Sequence, residues 1–270
     1  MRAADRRPLA VLTIAGSDSG GGAGIQADLK TIAAHGLHGV CAITAVTAQN
    51  TRGVTAVHMV PGRMIEAQVA AVHEDFRLGA VKIGMLGTAR AVRAVARALR
   101  PLGDIPLVLD PVMIATSGAR LLQPDAVRAL RERLFPLASV VTPNVPEAEF
   151  LLGTRIRDAR AQQRAAEALR AAGAAAVLLK GGHLPGPKVR DLYLDGAGAS
   201  TIVHARLARN GHGTGCTLAS ALACGLARGE RGAAAARAAI AYVHGALRHA
   251  SRPGRGAVDV LDHYWRDGVH

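Results

Sequence analysis

The chain has 270 residues, of which half are hydrophobic and only 3% are aromatic, and its formal net charge is +13. The basic residues are scattered and lack the aromatic stacking surfaces of nucleic-acid-binding proteins, so the charge is interpreted as a solvated shell that helps to attract anionic substrates. Three widely spaced cysteines exclude a disulfide framework and a Cys-x-x-Cys zinc pair, and no apolar run is suited to crossing a membrane. We therefore expect one cytoplasmic α/β domain over residues 1–270, with its core at 9–250, and no nucleic-acid or membrane partner.

Apolar, β-branched runs alternate with helical patterns along most of the chain. Strands are predicted at 9–15, 40–44, 80–83, 107–109, 139–142 and 176–180. The helices predicted between them lie at 24–35, 63–73, 89–99, 125–134, 146–152 and 161–172. Hairpin strands at 189–194 and 201–204 follow, and then helices at about 214–228 and 232–250. This order predicts a mostly parallel sheet with helices on both faces and with ligands at the carboxyl ends of its strands.

The first predicted strand leads into a glycine-rich loop. The loop begins at Gly16, is glycine at four of the five positions 20–24, and precedes a helix that carries Asp28. It matches neither the phosphate-binding motif G-x-x-x-x-G-K-[ST] nor the dinucleotide fingerprint G-x-G-x-x-G. Its glycines would let a ligand approach the backbone closely, and a merely flexible turn is the alternative.

Amide and apolar side chains follow the next strands. Gln49 and Asn50 carry amide groups that are suited to the edge of a heterocycle. Met85, Val112 and Met113 follow two later strands and offer apolar surface to a flat ring. Taken alone, each of these apolar residues is more often part of an ordinary core.

Polar groups also follow the strands at 139–142 and 176–180. Asn144 and Glu147 are three residues apart at a predicted helix start, so both side chains can face one site. Oxygen ligands of this type suit Mg²⁺ that is also bound by waters and nucleotide phosphates, and a helix-capping box is the alternative. Lys180 ends an apolar strand beside two glycines, where we expect it to have a partner.

The segment 210–216, Asn-Gly-His-Gly-Thr-Gly-Cys, leads directly into an apolar helix. Its glycines let backbone N–H groups converge, and the helix adds the positive end of its dipole, so this turn is suited to holding an anion. The same field is expected to favour the thiolate of Cys216, which could then act as a base in phosphoryl transfer. The alternative is a tight turn with Cys216 as a small core residue.

Taken together in this order, the segments resemble the hydroxymethylpyrimidine/phosphomethylpyrimidine kinases of thiamine biosynthesis, in the ribokinase-like superfamily. The resemblance runs from Leu12 to about Arg228 and is carried by blocks at 15–30, 48–51, 82–86, 109–113, 142–147, 179–183 and 212–216. It implies a ribokinase-like three-layer α-β-α sandwich. It also implies phosphoryl transfer from ATP to 4-amino-5-hydroxymethyl-2-methylpyrimidine and then to the resulting monophosphate.

The resemblance further implies roles for the matching residues. The residues that would bind the substrate are Gly16, Asp28, Gln49, Met85 and Val112. The anion hole and the base would be formed by Gly213, Thr214, Gly215 and Cys216. ATP would be bound by Thr142, Asn144 and Lys180. Mg²⁺ would be organised by Asp110 and Glu147.

Three other functions are weighed against this one. A pyridoxal kinase is the nearest alternative, although Gln49 favours an aminopyrimidine. A kinase for the monophosphate alone is the second, and an inactive nucleotide-binding regulator is the third. A regulator would have little use for Asp110, Glu147, Lys180 and Cys216 together. The family resemblance also suggests a homodimer, and Thr116 departs from it because some members have a lysine there.

Overall fold

In the computed structural model, residues 7–113 and 121–268 are described, and they form a nine-stranded sheet. Its strands are β1 (Leu9–Asp18), β2 (His38–Asn50), β3 (Gly53–Met59), β4 (Arg77–Ile83), β5 (Leu107–Leu109), β6 (Val140–Val141), β7 (Val177–Leu179), β8 (Lys188–Asp195) and β9 (Gly198–Ala205). Their order across the sheet is β3-β2-β1-β4-β5-β6-β7-β8-β9. The neighbours from β2 to β7 are parallel, whereas β3, β8 and β9 are antiparallel to theirs. The departure at Thr116 lies outside the described residues.

Helices cover both faces of the sheet. They are α1 (Gly24–Ala34), α2 (Gly62–Asp75), α3 (Ala89–Ala98), α4 (Pro124–Arg133), α5 (Val145–Leu152), α6 (Ala159–Ala171), α7 (Thr214–Ala227) and α8 (Gly232–Arg248). One apolar core joins the sheet to α2 through α6 and contains Ile65 and Leu169. The other joins it to α1, α7 and α8 and contains Ile32 and Leu222. The predicted three-layer α-β-α sandwich is therefore confirmed.

The two cores follow from strand alternation. Along β1, Leu12 and Ile14 belong to one core and Val11 to the other, because successive strand side chains point to opposite faces. Helix α7 is buried continuously from Thr217 to Leu226, since it packs between the sheet and the helices α1 and α8. The turn that precedes α7 is therefore held on a rigid support.

Each of the eight predicted helices is present, with ends within two residues of the prediction. The strand β3 was not predicted, because its mostly exposed residues lack the alternation of buried and exposed positions that indicates a strand. A short parallel pair, β10 (Gly211–His212) with β11 (Asp259–Val260), also extends the fold beyond the predicted core at 9–250. Within 7–113 and 121–268, none of the helices combines the length and apolar character that crossing a membrane requires.

Candidate active site

A cleft of about 910 Å³ opens at the carboxyl ends of the parallel strands, where ligands are expected in such sheets. Most of the predicted site residues line it, namely Gly16, Gln49, Met85, Asp110, Val112, Asn144, Glu147, Lys180, Gly213, Thr214, Gly215 and Cys216. The exceptions are Asp28 and Thr142.

Asp28 lies beneath the cleft, and the prediction that it contacts substrate is corrected. Its side chain is fully buried and accepts hydrogen bonds from Thr13 Oγ1 at 2.6 Å and from Ser220 Oγ at 2.8 Å. Lys82 Nζ, also fully buried, donates to both Asp28 carboxylate oxygens at 2.9 and 2.8 Å. We call Lys82 and Asp28 the floor pair. Lys82 was missed, although it stands near the end of an apolar strand, as Lys180 does.

Thr142 is the second correction. Its side chain is fully buried, and its hydroxyl donates to Asp110 Oδ1 at 3.1 Å. The Thr142 hydroxyl thus supports Asp110, and Thr142 is not among the residues that line the cleft.

The turn before α7 has the backbone conformation that its glycines make accessible. Gly213 is the N-cap of α7 with a φ of 82°, and a Cβ at this position would lie 2.0 Å from the carbonyl oxygen of Gly22. Only glycine fits there. The backbone N–H of Gly24, the first residue of α1, acts on the Cys216 thiol in favour of its negative form. The starts of α1 and α7 therefore meet at Cys216, and two helix N-termini favour negative charge at this point.

Cys216 lacks the depressed pKa that its position at a helix start predicted. Burial raises the pKa of its thiol to about 11, and the carboxylates of Asp28 and Asp110 act in the same direction, against Lys82 and the Gly24 N–H. The sulfur of the ligand-free protein therefore carries its proton at neutral pH. The prediction of a thiolate is wrong for this state, because removal from water outweighs the field of the helices.

Gln49 is held at one end of the cleft by neighbours that sequence reasoning missed. The Thr47 hydroxyl donates to Gln49 Oε1 at 3.1 Å, and Gln49 Nε2 lies 3.1 Å from His212 Nε2. His212 Nε2 is also 3.1 Å from Asp18 Oδ2. His212 belongs to the segment 212–216, in which the sequence predicted roles for the two glycines, Thr214 and Cys216 but none for the histidine.

Asp18 also fixes the glycine-rich loop. Its carboxylate accepts hydrogen bonds from the backbone N–H groups of Gly20 at 2.8 Å, Gly22 at 3.1 Å and Ala23 at 2.9 Å. Burial opposes ionisation of Asp18, but the hydrogen bonds from His212 and the loop hold its pKa below the usual value. The carboxylate therefore stays charged at neutral pH and fastens the loop to His212, so the loop is more than a flexible turn.

Lys180 has the partner that its position predicted. Its Nζ donates to Asp110 Oδ1 at 3.0 Å, and the two side chains are 15% and 2% exposed. A Cβ on Gly215 would lie 3.2 Å from Lys180 Nζ and 3.3 Å from Asp110 Oδ2. The glycine turn at 213–215 therefore approaches this ion pair closely. We call Lys180 and Asp110 the cleft pair.

Glu147 and Asn144 form the capping box that was the alternative to a metal site. Asn144 N donates to Glu147 Oε2 at 2.8 Å, and Glu147 N donates to Asn144 Oδ1 at 2.9 Å. Burial raises the pKa of Glu147 to about 7, and Asp110 adds to this while Lys180 opposes it. Across 7–113 and 121–268, no group of three or more His, Cys, Asp and Glu side chains is arranged to hold a metal ion.

Comparison with known proteins gives the family of the chain. A profile of the phosphomethylpyrimidine kinase family matches residues 18–261. The hydroxymethylpyrimidine/phosphomethylpyrimidine kinase of Rhizobium meliloti (strain 1021) is 52% identical over 262 residues, which cover 95% of this chain and 98% of that protein. The chain belongs to the phosphomethylpyrimidine kinase family. It is a kinase, and the family implies ATP as its co-substrate.

Solved structures of two kinase classes share the fold of this family member. A Bacillus subtilis pyridoxal kinase in complex with ADP superposes with a TM-score of 0.89 and 32% identity, covering 97% of this chain and 100% of that chain. A Clostridium difficile phosphomethylpyrimidine kinase gives a TM-score of 0.77 and 42% identity, covering 87% and 98%. The ribokinase-like fold is thereby confirmed. Because both classes have it, the fold does not select the substrate.

In this kinase, the segment 251–261 fastens two loops of the cleft. Asn210 N donates to Asp259 Oδ2 at 3.0 Å, and Asp259 N donates to the Asn210 carbonyl oxygen at 2.8 Å. Gly256 N donates to Thr51 Oγ1 at 3.0 Å, two residues after Gln49. The family match extends to residue 261 and so includes this segment. Sequence reasoning missed it because it has no helical or strand periodicity.

The loop after Lys180 is also held in place. Arg206 donates hydrogen bonds to three of its carbonyl oxygens, those of Gly182 at 2.6 Å, Leu184 at 2.5 Å and Gly186 at 2.8 Å. Asp191 Oδ1 accepts from Gly181 N at 2.8 Å. The glycine backbone beside the cleft pair therefore has a defined position. Neither Arg206 nor Asp191 was singled out from the sequence, since both lie in an ordinary hairpin pattern.

Proposed function

We propose that this kinase phosphorylates 4-amino-5-hydroxymethyl-2-methylpyrimidine to its monophosphate, and the monophosphate to the diphosphate, in thiamine biosynthesis. The observation that carries the proposal is the 52% identity to the Rhizobium meliloti enzyme over nearly the full length of both chains. The cleft supports it, because Gln49, Met85 and Val112 line the same cavity beside Gly16. An amide for its edge and apolar side chains for its ring are suited to an aminopyrimidine.

In the first transfer, the hydroxymethyl oxygen attacks the γ-phosphorus of ATP. The bond from that phosphorus to the bridging oxygen of ADP breaks, and the hydroxyl proton is released. Backbone N–H groups at Gly213, Thr214 and Gly215 would stabilise the negative charge on the phosphoryl group in transfer. Lys180 would add positive charge beside the phosphates, and Asn144 would line the ATP site.

Cys216 would first act by hydrogen bonding to the acceptor oxygen, because its thiol is protonated in the ligand-free protein. It would serve as a base only in those molecules that carry the thiolate. We expect Cys216→Ala to reduce kcat by about 10²-fold or more while the Kd for ATP stays near the wild-type value. Steady-state kinetics and nucleotide titration measure the two quantities. Wild-type turnover in this variant would remove the thiol from the mechanism.

Asp110 and Glu147 would hold Mg²⁺ together with the nucleotide phosphates. The two carboxylates are close enough for Asp110 to raise the pKa of Glu147, so a cation beside both would relieve their repulsion. Such a pair fits Mg²⁺, which commonly binds through one or two carboxylates plus waters and phosphates. When bound, the ion would neutralise charge on the phosphates during transfer.

The alternative is a pyridoxal kinase, which the superposition on the Bacillus subtilis enzyme favours. The deciding experiment measures ADP release with Mg²⁺-ATP and one acceptor at a time, namely the hydroxymethylpyrimidine, its monophosphate or pyridoxal, with products identified by mass. Sequential formation of the mono- and diphosphate supports the proposal. Turnover with pyridoxal alone would overturn it and assign the chain to vitamin B6 salvage. Turnover with the monophosphate alone would restrict it to the second transfer.

We also propose that the chain is one kinase domain and forms a homodimer in the cytoplasm. The single nine-stranded sheet supports the first point, and family resemblance supports the others. Light scattering on the purified protein and cell fractionation measure the assembly and the location. A monomer at working concentration would contradict the dimer.

A further inference from the structure

The floor pair is the most deeply buried ion pair near the cleft. Lys82 and Asp28 are both 0% exposed, and Lys82 is one of only four lysines in a chain with 33 basic residues. Burial opposes the charge of Lys82, but Asp28 raises the Lys82 pKa well above its usual value, so the pair is ionic. Replacing a buried ion pair by apolar residues is often neutral or stabilising, so stability alone does not account for these charges.

The floor pair lies one helical turn beneath Cys216. Gly24 and Asp28 are four residues apart on α1, and Cys216 and Ser220 are four residues apart on α7. Such residues lie on the same face of a helix, one turn of about 5.4 Å apart. In the lower turn Ser220 Oγ donates to Asp28 Oδ1 at 2.8 Å, and in the upper turn the Gly24 N–H acts on the Cys216 sulfur in favour of its negative form. The hydrogen bond from Ser220 to Asp28 thus joins the two helices one turn below Cys216.

Lys82 reaches upward from β4 towards the same point. A Cβ on Gly84 would lie 2.8 Å from Lys82 Nζ and 3.0 Å from the Ala15 Cβ, so the ammonium group lies beside the last residues of β4. The next residue, Met85, lines the cleft. The glycine at 84 therefore leaves room for a positive charge directly under the cleft floor.

We propose that Lys82 and Asp28 are positioning residues for Cys216. Lys82 stabilises negative charge on the sulfur, while Asp28 holds Lys82 directly and holds α7 in register through Ser220. The inference rests on the proposed role of Cys216 in phosphoryl transfer. The charged groups that act on the sulfur are Lys82 on β4, Asp28 on α1, Asp110 after β5 and Lys180 after β7. Among them Lys82 has the largest effect in favour of the thiolate.

The test measures the rate of alkylation of Cys216 by iodoacetamide as a function of pH, with each cysteine followed by peptide mass spectrometry. We expect Lys82→Met to move the half-maximal rate upward by about one pH unit or more, and Asp28→Asn to move it downward by a similar amount. Opposite shifts follow from opposite charges. A merely structural role would loosen the site in both variants and accelerate alkylation in both.

Three controls make the result decisive. Cys41 in the same molecules is the internal reference, and its profile should not move. Lys30→Met removes a lysine from α1 and should leave Cys216 unchanged. The charge-neutral double variant Lys82→Met/Asp28→Asn should bring the Cys216 profile back towards that of the wild type. Thermal unfolding is recorded for every variant. If Lys82→Met fails to fold, the Cys216 alkylation profiles of Asp28→Asn and the double variant test the proposal.

An Asp28→Asn variant that folds but leaves alkylation unchanged, or slows it, would overturn the proposal. So would a double variant that reacts as Asp28→Asn does. The readout needs no substrate, so it stands even if the chain prefers pyridoxal. With the substrate identified, Lys82→Met should lower kcat at least 10-fold at neutral pH and leave the KM for ATP near the wild-type value. An equal change in KM would indicate a role in binding instead.

Discussion

The floor pair and the cleft pair contain the same two residue types and stand at the same edge of the sheet, yet they differ in what surrounds them. In the floor pair, both carboxylate oxygens of Asp28 are occupied by Lys82, Thr13 and Ser220, and neither partner is exposed. In the cleft pair, Lys180 is partly exposed and donates to one carboxylate oxygen, Asp110 Oδ1. The cleft pair can therefore exchange a protein partner for a phosphate, whereas the floor pair cannot.

This difference shows that residue type and strand position do not by themselves decide whether a charge acts on a ligand. Lys82 is the second-last residue of β4, and Lys180 directly follows β7. Two helices cover Lys82, because α1 supplies Asp28 and α7 supplies Ser220 above it. Lys180 instead lines the cleft, and the glycine turn at 213–215 lies close to its Nζ. Whether helices cover a lysine therefore decides whether its charge acts from within the protein or binds a ligand directly.

The largest expected effect is on turnover when the cleft pair is broken. Lys180→Met removes the positive charge beside the transferred phosphoryl group, and we expect kcat to fall by about 10² to 10³-fold. Steady-state kinetics with Mg²⁺-ATP measure it, and unfolding by urea provides the matched measurement of stability. A larger loss of stability in Lys180→Met than in Lys82→Met would contradict the distinction between the cleft pair and the floor pair.

The second effect is on stability when the floor pair is broken. Lys82→Met leaves the buried carboxylate of Asp28 without its cation, and we expect the free energy of unfolding to fall by about 3 to 5 kcal/mol. The double variant Lys82→Met/Asp28→Asn should recover much of this loss, because the uncompensated charge is removed. Urea unfolding monitored by circular dichroism measures both variants. A double variant no more stable than the single one would mean that packing, and not charge, explains the loss.

The smallest expected effect is a change in how stability depends on pH. Burial raises the pKa of Glu147 in the folded protein to about 7, above the value of the unfolded chain, so the folded state binds the proton more tightly. This contribution is complete at low pH and is lost as the pH rises through about 7. Glu147→Gln keeps an oxygen for the capping box and should flatten that part of the profile in the ligand-free protein.

Unfolding by urea at a series of pH values from 5 to 8.5 measures this slope. Glu149→Gln on the same helix is the control, because hydrogen bonds, chiefly from the Ile156 N–H, lower the pKa of the partly buried Glu149. Its contribution is present at high pH and is lost below the pKa of the unfolded chain, so its removal should leave the slope near neutral pH unchanged. An unaltered slope in Glu147→Gln would place the raised pKa on another group.

Much of the site was predictable because its residues follow strands. Gln49, Asp110 and Lys180 each stand just after an apolar run or at its end, and parallel strands bring such positions to one edge. The residues that support the site were not predictable in this way. His212 and Asp18 are 194 residues apart in sequence, and their contact depends on where β10 lies relative to the glycine loop. Asp259 stands in a segment with no periodic pattern, so nothing local indicated its role.

Local patterns of the sequence determined the three layers, the glycine turns and the set of groups at the strand ends, because period and turn chemistry depend on neighbours along the chain. Burial was decided only by the tertiary structure. Asp28 looks like a helix residue close to a binding loop, and Cys216 looks like an activated thiol at a helix start. Packing of α1 against α7 withdraws Asp28 from the cleft and raises the pKa of Cys216 to about 11, since desolvation depends on everything that surrounds a group and not on its place in the sequence.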